Sequence, residues 1–269
     1  MSLTKELLVK PGKKVNLKHF DPEDTFGYKK NEKMEEKLAK DLARLDQLQY
    51  LLYAENKHAL LVVLQAVDTA GKDGTIRHVM TGMSPQSCKV ASFKAPSAEE
   101  MAHDYLWRVH KVVPGRGEVG IFNRSHYEDV LVVRVHDLVP KSVWLQHYDQ
   151  INDFERLLTE TGTTIVKIFL HISREEQKQR LEKRLDDPDR RWKLSLSDFK
   201  ERQYWDNYQE AYEDAITRCN TKDAPWYIIP SNHKWFRNLA VSRILVETLE
   251  SLSMKFPKST IDISQMKLK

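Results

Sequence analysis

Six consecutive apolar residues, from Ala59 to Leu64, run into a turn that holds Gly71, Lys72 and Gly74, and a helix pattern begins at Thr75. An apolar run this short, with no polar face, suits a strand covered on both sides, as in a parallel sheet. Parallel neighbours require crossover connections, so this one strand already points to a chain that alternates strand and helix. The remaining pattern agrees. Met34, Leu38, Leu42, Leu45, Leu48 and Leu52 recur at steps of three and four, which makes one apolar helix face. Further strands are predicted over 90–93, 119–122, 164–172 and 226–229. Helices are predicted over 97–110, 140–160, 197–219 and 234–254, with a very polar one opening at Ser173. Ser97 with Glu100, and Ser173 with Glu176, read as capping boxes. Residues 1–31, with Pro11, Gly12, Pro22 and Gly27, read as an irregular arm, and 255–269 as a tail. No internal repeat or linker interrupts the pattern, so 1–269 is expected to form one α/β domain, a parallel sheet covered by helices on both faces.

Composition narrows the function classes. Of the 269 residues 41% are hydrophobic and 30% charged, which suits a globular core under a very polar surface. A net charge of +4 is too small to argue for a nucleic-acid partner. Cys88 and Cys219 stand in no metal-ligand spacing, and two cysteines make no disulfide framework. No run approaches the ~18 apolar residues of a membrane span, and residues 1–18 lack the apolar core of a secretion signal. A cytoplasmic protein is the expectation.

The turn after the first strand reads Leu64-Gln65-Ala66-Val67-Asp68-Thr69-Ala70-Gly71-Lys72-Asp73-Gly74-Thr75. Glycines in a strand-to-helix turn let backbone N–H groups converge on phosphate oxygens. The helix N-terminus adds a partial positive charge and Lys72 a full one. The segment departs from the usual P-loop at two positions. Ala66 stands where the first glycine is expected, and Asp73 where Ser or Thr would offer Mg²⁺ a hydroxyl. Asp68 is a hard-oxygen substitute for that ligand. Taken alone, the segment is also compatible with a turn that merely needs glycine.

A second strand tip reads Gly120-Ile121-Phe122-Asn123-Arg124-Ser125-His126-Tyr127-Glu128-Asp129. Ligands of open parallel sheets bind beyond the carboxyl ends of the strands, so this polar cluster is expected to share a crevice with Gly71. Arg124 is suited to neutralising a phosphoryl group in flight. Asp129 or Glu128 is suited to holding Mg²⁺ or positioning an acceptor. A surface loop with local ion pairs explains the segment equally well until both tips are taken together.

Arg180, Lys183, Arg184, Arg190, Arg191 and Lys193 crowd a stretch that also holds Asp186, Asp187, Pro188 and Asp189. The pattern predicts a protruding helix-loop-helix, a flap able to close over phosphates and exclude water. A solvated helix laced with ion pairs competes with that reading. Arg77, Lys94, Arg108, Lys111 and Arg116 lie between the two tips, and some are expected to line the crevice. Tyr105, Trp107, Trp144, Tyr148, Trp205, Tyr208 and Tyr212 sit at helical spacings and are expected mostly in the core. The histidines show no zinc-ligand spacing, and no G-x-S-x-G elbow supports a hydrolase triad.

The words from Asp68 to Gly74 and from Phe122 to Asp129, with Tyr105-Leu106-Trp107-Arg108 and Arg191-Trp192-Lys193, together resemble the family-2 polyphosphate kinases. The likeness runs from Phe20 to Leu252. It implies a P-loop kinase fold near thymidylate kinase, in three layers, with a helical lid over 181–200. It implies inorganic polyphosphate as donor, an adenine or guanine nucleotide as acceptor, and Mg²⁺, with Mn²⁺ as a substitute. The catalytic set implied is Asp68, Lys72, Arg124 and Asp129, with Asp68 and Asp129 on the metal. Glu128, Asp73, Tyr127 and Arg134 are implied nucleotide contacts. Gly71, Lys72, Gly74, Thr75, Arg77, Arg108, Arg180, Arg184, Arg191 and Lys193 are implied phosphate contacts. Glu128 stands where members restricted to diphosphate acceptors carry Asn, which implies use of AMP as well as ADP. A homodimer or homotetramer with no nucleic-acid or membrane partner is also implied. Two other functions stay open on the residues alone. An ATP-dependent nucleoside or nucleotide kinase explains the loop but not the surplus of cations. A non-catalytic polyanion-binding module fits poorly with retained Lys72, Arg124 and Asp129.

Overall fold

The computed structural model describes residues 2–259. The chain opens with α1 (Leu3–Leu7) and the long α2 (Glu32–Glu55). Strand β1 (Ala59–Gln65) leads into α3 (Lys72–Val79), and β2 (Cys88–Ser92) into the short α4 (Ala98–Met101) and α5 (Trp107–His110). Strand β3 (Val119–Asn123) ends in a 3-10 turn at His126–Val130 and α6 (Val132–Val135), after which α7 (Lys141–Glu160) returns to β4 (Thr163–His171). Then come α8 (Arg174–Asp186), a 3-10 turn at Pro188–Lys193, α9 (Leu196–Glu201), α10 (Trp205–Arg218), β5 (Trp226–Pro230) and α11 (Lys234–Ser251). The tail expected at 255–269 falls outside the described residues from 260 onward.

The five strands are parallel in the order β2-β3-β1-β4-β5. Side chains alternate between faces along a strand, yet every residue of β1 is buried. Both faces of the sheet are therefore covered at its centre, which explains the uninterrupted apolar run from Ala59 to Leu64. The register sets Leu64 beside Asn123 and Gln65 beside Phe169, so the β1 tip lies between the tips of β3 and β4. The chain runs from β1 to β2 and β3 on one side and then crosses from β3 to β4 on the other, which makes the carboxyl end of β1 the switch point where α/β sheets bind ligands.

Four expectations need correction. The N-terminal arm is not irregular throughout. Leu3, Leu7, Val9, Val15 and Leu17 are buried, and Leu8 bridges Tyr227 of the edge strand β5. An edge strand has unpaired backbone groups, and the arm covers them: Val9 N–H donates to Trp226 O at 2.9 Å. The helix expected over 97–110 is two short ones. The Ser97–Glu100 box forms, but the Asp104 carboxylate accepts from Leu106 N–H at 3.0 Å and Trp107 N–H at 3.1 Å, a local bond that restarts the helix. The helix expected over 197–219 is likewise broken at Arg202–Tyr204. There Glu201 is held by Tyr208 Oη at 2.7 Å and His136 Nε2 at 3.0 Å. Finally, Ser173 caps α8 through Glu176 N–H, while the Glu176 carboxylate turns to Arg180 instead of closing the box.

Beneath the β3 tip lies a buried polar cluster. Lys167 of β4, fully buried, donates to Glu155 of α7, to Tyr127 Oη at 2.9 Å and to Cys219 O. The Glu155 carboxylate also meets Tyr127 Oη at 2.8 Å and His126 Nε2 at 3.1 Å. The Lys167 ammonium has three acceptors and the Glu155 carboxylate three donors, the kind of pairing that keeps charges in a core, while His126 Nδ1 is left without a partner among the described residues.

Candidate active site

The turn after β1 is built by two left-handed residues, Thr69 with φ +65° and Gly71 with φ +111°. Gly71 is the N-cap of α3 and offers no capping side chain, so the first N–H groups of the helix face outward for a ligand. Lys72 Nζ donates to Ala66 O at 2.8 Å and closes the loop on itself. Burial pulls the Lys72 ammonium below its ordinary range and nearby Arg124 adds to this, while Asp68, Glu128 and Asp73 oppose.

Arg180 has a different task from the one expected of it. Its Nε donates to Glu176 at 2.7 Å, Nη1 to Thr69 O at 3.1 Å and Ala70 O at 2.8 Å, and Nη2 to Ser231 O at 2.6 Å and Asn232 O at 3.2 Å. These five bonds engage all five guanidinium protons. Arg180 therefore lines the crevice but fixes the loop rather than offering donors to a phosphate. Thr75 is similar: buried, with its hydroxyl on Gly71 O at 3.1 Å.

The second tip meets the first directly. Arg124 sits at φ +61°, a strained region for a non-glycine residue and one that recurs at functional sites. Its Nη2 is 2.8 Å from Asp68 and its Nη1 3.3 Å from Glu128. Burial works against the Arg124 charge, but Glu128 and Asp68 outweigh it and hold the guanidinium protonated more firmly than usual. Gln65, fully buried at the end of β1, steers Glu128 by donating to it at 3.1 Å. Asn123 donates to Asp73 at 2.8 Å and ties the tips together. Asp68, Arg124 and Glu128 thus form one ion-paired group, with Lys72 within its electrostatic influence and Asp73 tied to the neighbouring Asn123.

Asp129, Tyr127 and Arg134 do not join it. Asp129 lines neither the crevice nor the small cavity behind Arg124, and burial pushes its carboxyl up to about 7 against the pull of Arg108. Tyr127 is fully buried in the Lys167–Glu155 cluster, so its side chain has no surface to give a nucleotide. Arg134 is engaged by Asp214 at 2.7 Å and lies over Trp144.

The crevice has a volume of about 1120 Å³. Arg77, Arg184 and Lys193 line it, as do Lys183 and Arg190 of the charged stretch and Lys94 from beyond β2. Arg108 and Arg191 do not: Arg108 donates to Lys94 O at 2.9 Å, and Arg191 to Leu185 O at 2.7 Å. Lys234 and Arg237 do line it and were missed. They follow the tip of β5 at an i,i+3 spacing, which puts both on one helix face at a third strand end, a signal the sequence did contain. The wall carries eleven Lys and Arg against four Asp, an excess of seven, beside +4 for the whole chain. The rest of the chain is therefore net acidic. Behind Arg124, Trp205, Tyr208 and Tyr212 line the small cavity instead of being wholly core.

No cluster of three or more potential metal ligands occurs among the described residues. Mg²⁺, however, is commonly held by one or two carboxylates, with water and substrate phosphates completing the shell. Asp68 and Asp73, both on the crevice wall, fit that donor set.

The profile of the family described as Polyphosphate kinase 2 matches residues 28–257. The chain is 55% identical over 255 residues to the AMP/ADP-polyphosphate phosphotransferase of Meiothermus ruber, covering 94% of this chain and 96% of that protein. It is 46% identical over 269 residues to the ADP-polyphosphate phosphotransferase of Rhodopseudomonas palustris, covering 96% and 93%. Among solved structures, Polyphosphate Kinase 2 from Arthrobacter aurescens TC1 superposes with a TM-score of 0.93 at 45% identity, covering 98% of this chain and 94% of that one.

Proposed function

The chain belongs to the polyphosphate kinase 2 family, and on that premise we propose that it transfers the terminal phosphoryl group of inorganic polyphosphate to AMP and ADP, yielding ADP and ATP. The observation that carries this reading is the concentration of eleven cations on one crevice wall of a nearly neutral chain. A single nucleotide triphosphate needs far fewer.

An acceptor phosphate oxygen attacks the terminal phosphorus of the chain. The bond from that phosphorus to the bridging oxygen breaks, and the shortened polyphosphate leaves with the electron pair. The acceptor is already ionised at neutral pH, so no strong general base is required. Lys72 and the loop N–H groups hold the donor, and Arg124 faces the charge that moves during transfer. The work is positioning and electrostatic stabilisation. A divalent cation, as kinases of this kind use, would neutralise phosphate charge, and Asp68 and Asp73 would hold it; we take it to be Mg²⁺, replaceable by Mn²⁺.

Purified protein with AMP and polyphosphate should make ATP with Mg²⁺ and none with a chelator, followed as luminescence or by nucleotide chromatography. Turnover with ATP or GTP as the only effective donor would sink the polyphosphate reading, and tight polyphosphate binding without turnover would favour a binding module. Because many cations meet a polyanion, the donor KM should climb with ionic strength; a flat KM contradicts the assignment. Glu128→Asn should lower kcat/KM for AMP relative to ADP by roughly 10- to 100-fold, the value of one charge-assisted hydrogen bond. An unchanged ratio removes Glu128 as the selector.

We further propose one domain with a lid over 181–200, in a homodimer or homotetramer, which light scattering tests. No helix of the described residues is long and apolar enough to cross a membrane; a cytoplasmic site is our reading.

A further inference from the structure

Arg237 lies in the first turn of α11 and is only 2% exposed. A buried guanidinium ordinarily has a carboxylate beside it, because stripping its water without a counter-charge is costly. Arg237 has none. Its Nε and Nη2 both reach a single neutral oxygen, Asn238 Oδ1, at 3.2 and 2.9 Å, and Nη1 has no hydrogen-bond partner among the described residues. Burial pushes the group down to about 10, with Arg180 adding to the effect. A positive charge is thus buried with no counter-charge beside it among the described residues.

The guanidinium faces the phosphate loop. A Cβ on Gly71 would collide with Nη1, and one on Gly74 would stand 3.2 Å from Nη2. The absent side chain at Gly71, a glycine that the backbone turn itself requires, thus lets the guanidinium lie against the loop, and Gly74 leaves it a close fit. Around it, Lys234 is depressed by burial and then by Arg180, Arg237 and Arg190, so four cations crowd this end of the crevice. The carboxylates Asp68, Asp73 and Glu128 lie with Arg124 at the other strand tips. The cationic end suits the long anion, and the mixed end suits the nucleotide.

We propose that Arg237 is a donor-binding residue, whose missing counter-ion is a phosphate of the polyphosphate chain seated on the glycines of the loop. This rests on the polyphosphate reading of the crevice. The planar fork of an arginine pairs with two phosphate oxygens at once, which a lysine at the same place cannot do.

The test uses the full chain, with Arg237→Met to remove charge at similar length and Arg237→Lys to keep charge but lose the fork. Thermal unfolding is recorded without ligand and with tripolyphosphate alone, and the KM of donor and of acceptor is measured separately. Without ligand, Arg237→Met should unfold at or above the wild-type temperature, because an unpaired buried charge is gone. Its stabilisation by tripolyphosphate should shrink, and its donor KM should rise roughly 10- to 100-fold with the acceptor KM unchanged. Arg237→Lys should recover part of the donor affinity. Equal rises in both KM values together with a lowered unfolding temperature would make Arg237 a structural residue and overturn the assignment. So would donor affinity unchanged in both variants. Should Arg237→Met not fold, Arg237→Lys with a wild-type donor KM overturns it as well. Wild-type protein that tripolyphosphate does not stabilise would instead defeat the polyphosphate reading itself.

Discussion

Replacing Lys72 by alanine is expected to lower turnover by at least ~100-fold, the scale of losing one preorganised electrostatic contact in an enclosed site. The reason lies in where the ammonium is held. Its Nζ is tied to Ala66 O at 2.8 Å, among Asp68, Asp73, Glu128 and Arg124, so it reaches the loop already oriented and partly desolvated. A charge in that state stabilises a moving phosphoryl group without reorganising water. The structural loss is small by comparison, about 1 kcal/mol for one hydrogen bond to a backbone carbonyl. The unfolding temperature should therefore change little while activity collapses. Asp68→Asn should cost a similar factor, since it removes the negative charge paired with Arg124 at 2.8 Å and proposed to hold the divalent cation. Steady-state rates of the two purified variants decide the matter; near-normal turnover in either removes that residue from the catalytic set.

The second large effect concerns stability. Lys167→Met should destabilise the protein by ~3–5 kcal/mol, because it strands the Glu155 carboxylate in the core. Burial works against that carboxylate's charge, but Lys167 and His126 prevail and hold it below the usual carboxylate range. Without Lys167 the charge has only Tyr127 Oη at 2.8 Å and His126 at 3.1 Å. Combining Lys167→Met with Glu155→Gln should restore much of the loss, since no unpaired charge then remains. Urea unfolding of wild type and variants measures both changes. A single variant within ~1 kcal/mol of wild type contradicts the account. The cluster underlies the turn His126–Val130 that carries Glu128, so the same variant should also lose activity.

The sheet and both strand tips were legible because they depend on local pattern: an apolar run, a glycine turn, a polar word after a strand. Gly71, Lys72, Asp68 and Arg124 could be assigned to one crevice from topology alone. The errors share another cause, namely contacts distant in sequence. Arg180 stands in a charged stretch like its neighbours, and only the approach of Thr69, Ala70, Ser231 and Asn232 makes it a clamp. Tyr127 belongs to a motif that surrounds a site, but its ring points into the core beside Lys167. Arg237 opens α11 with Lys234 at the β5 tip, a placement visible in the sequence, but its approach to the loop glycines comes from a segment distant along the chain. The arm before α2 looked irregular because the surface it covers, the edge of β5, lies some two hundred residues along the chain. The break at Asp104 is the exception, because it is local: the carboxylate accepts from the Leu106 and Trp107 N–H groups two and three residues on.

The uneven charge of the molecule governs how it meets its substrate. With seven surplus positive charges on one wall and a net −3 elsewhere, a long anion approaching at random is repelled from most of the exterior and drawn to a single mouth. Adding lysines to the exterior to improve solubility would flatten that funnel and slow association, even with every residue of the pocket untouched.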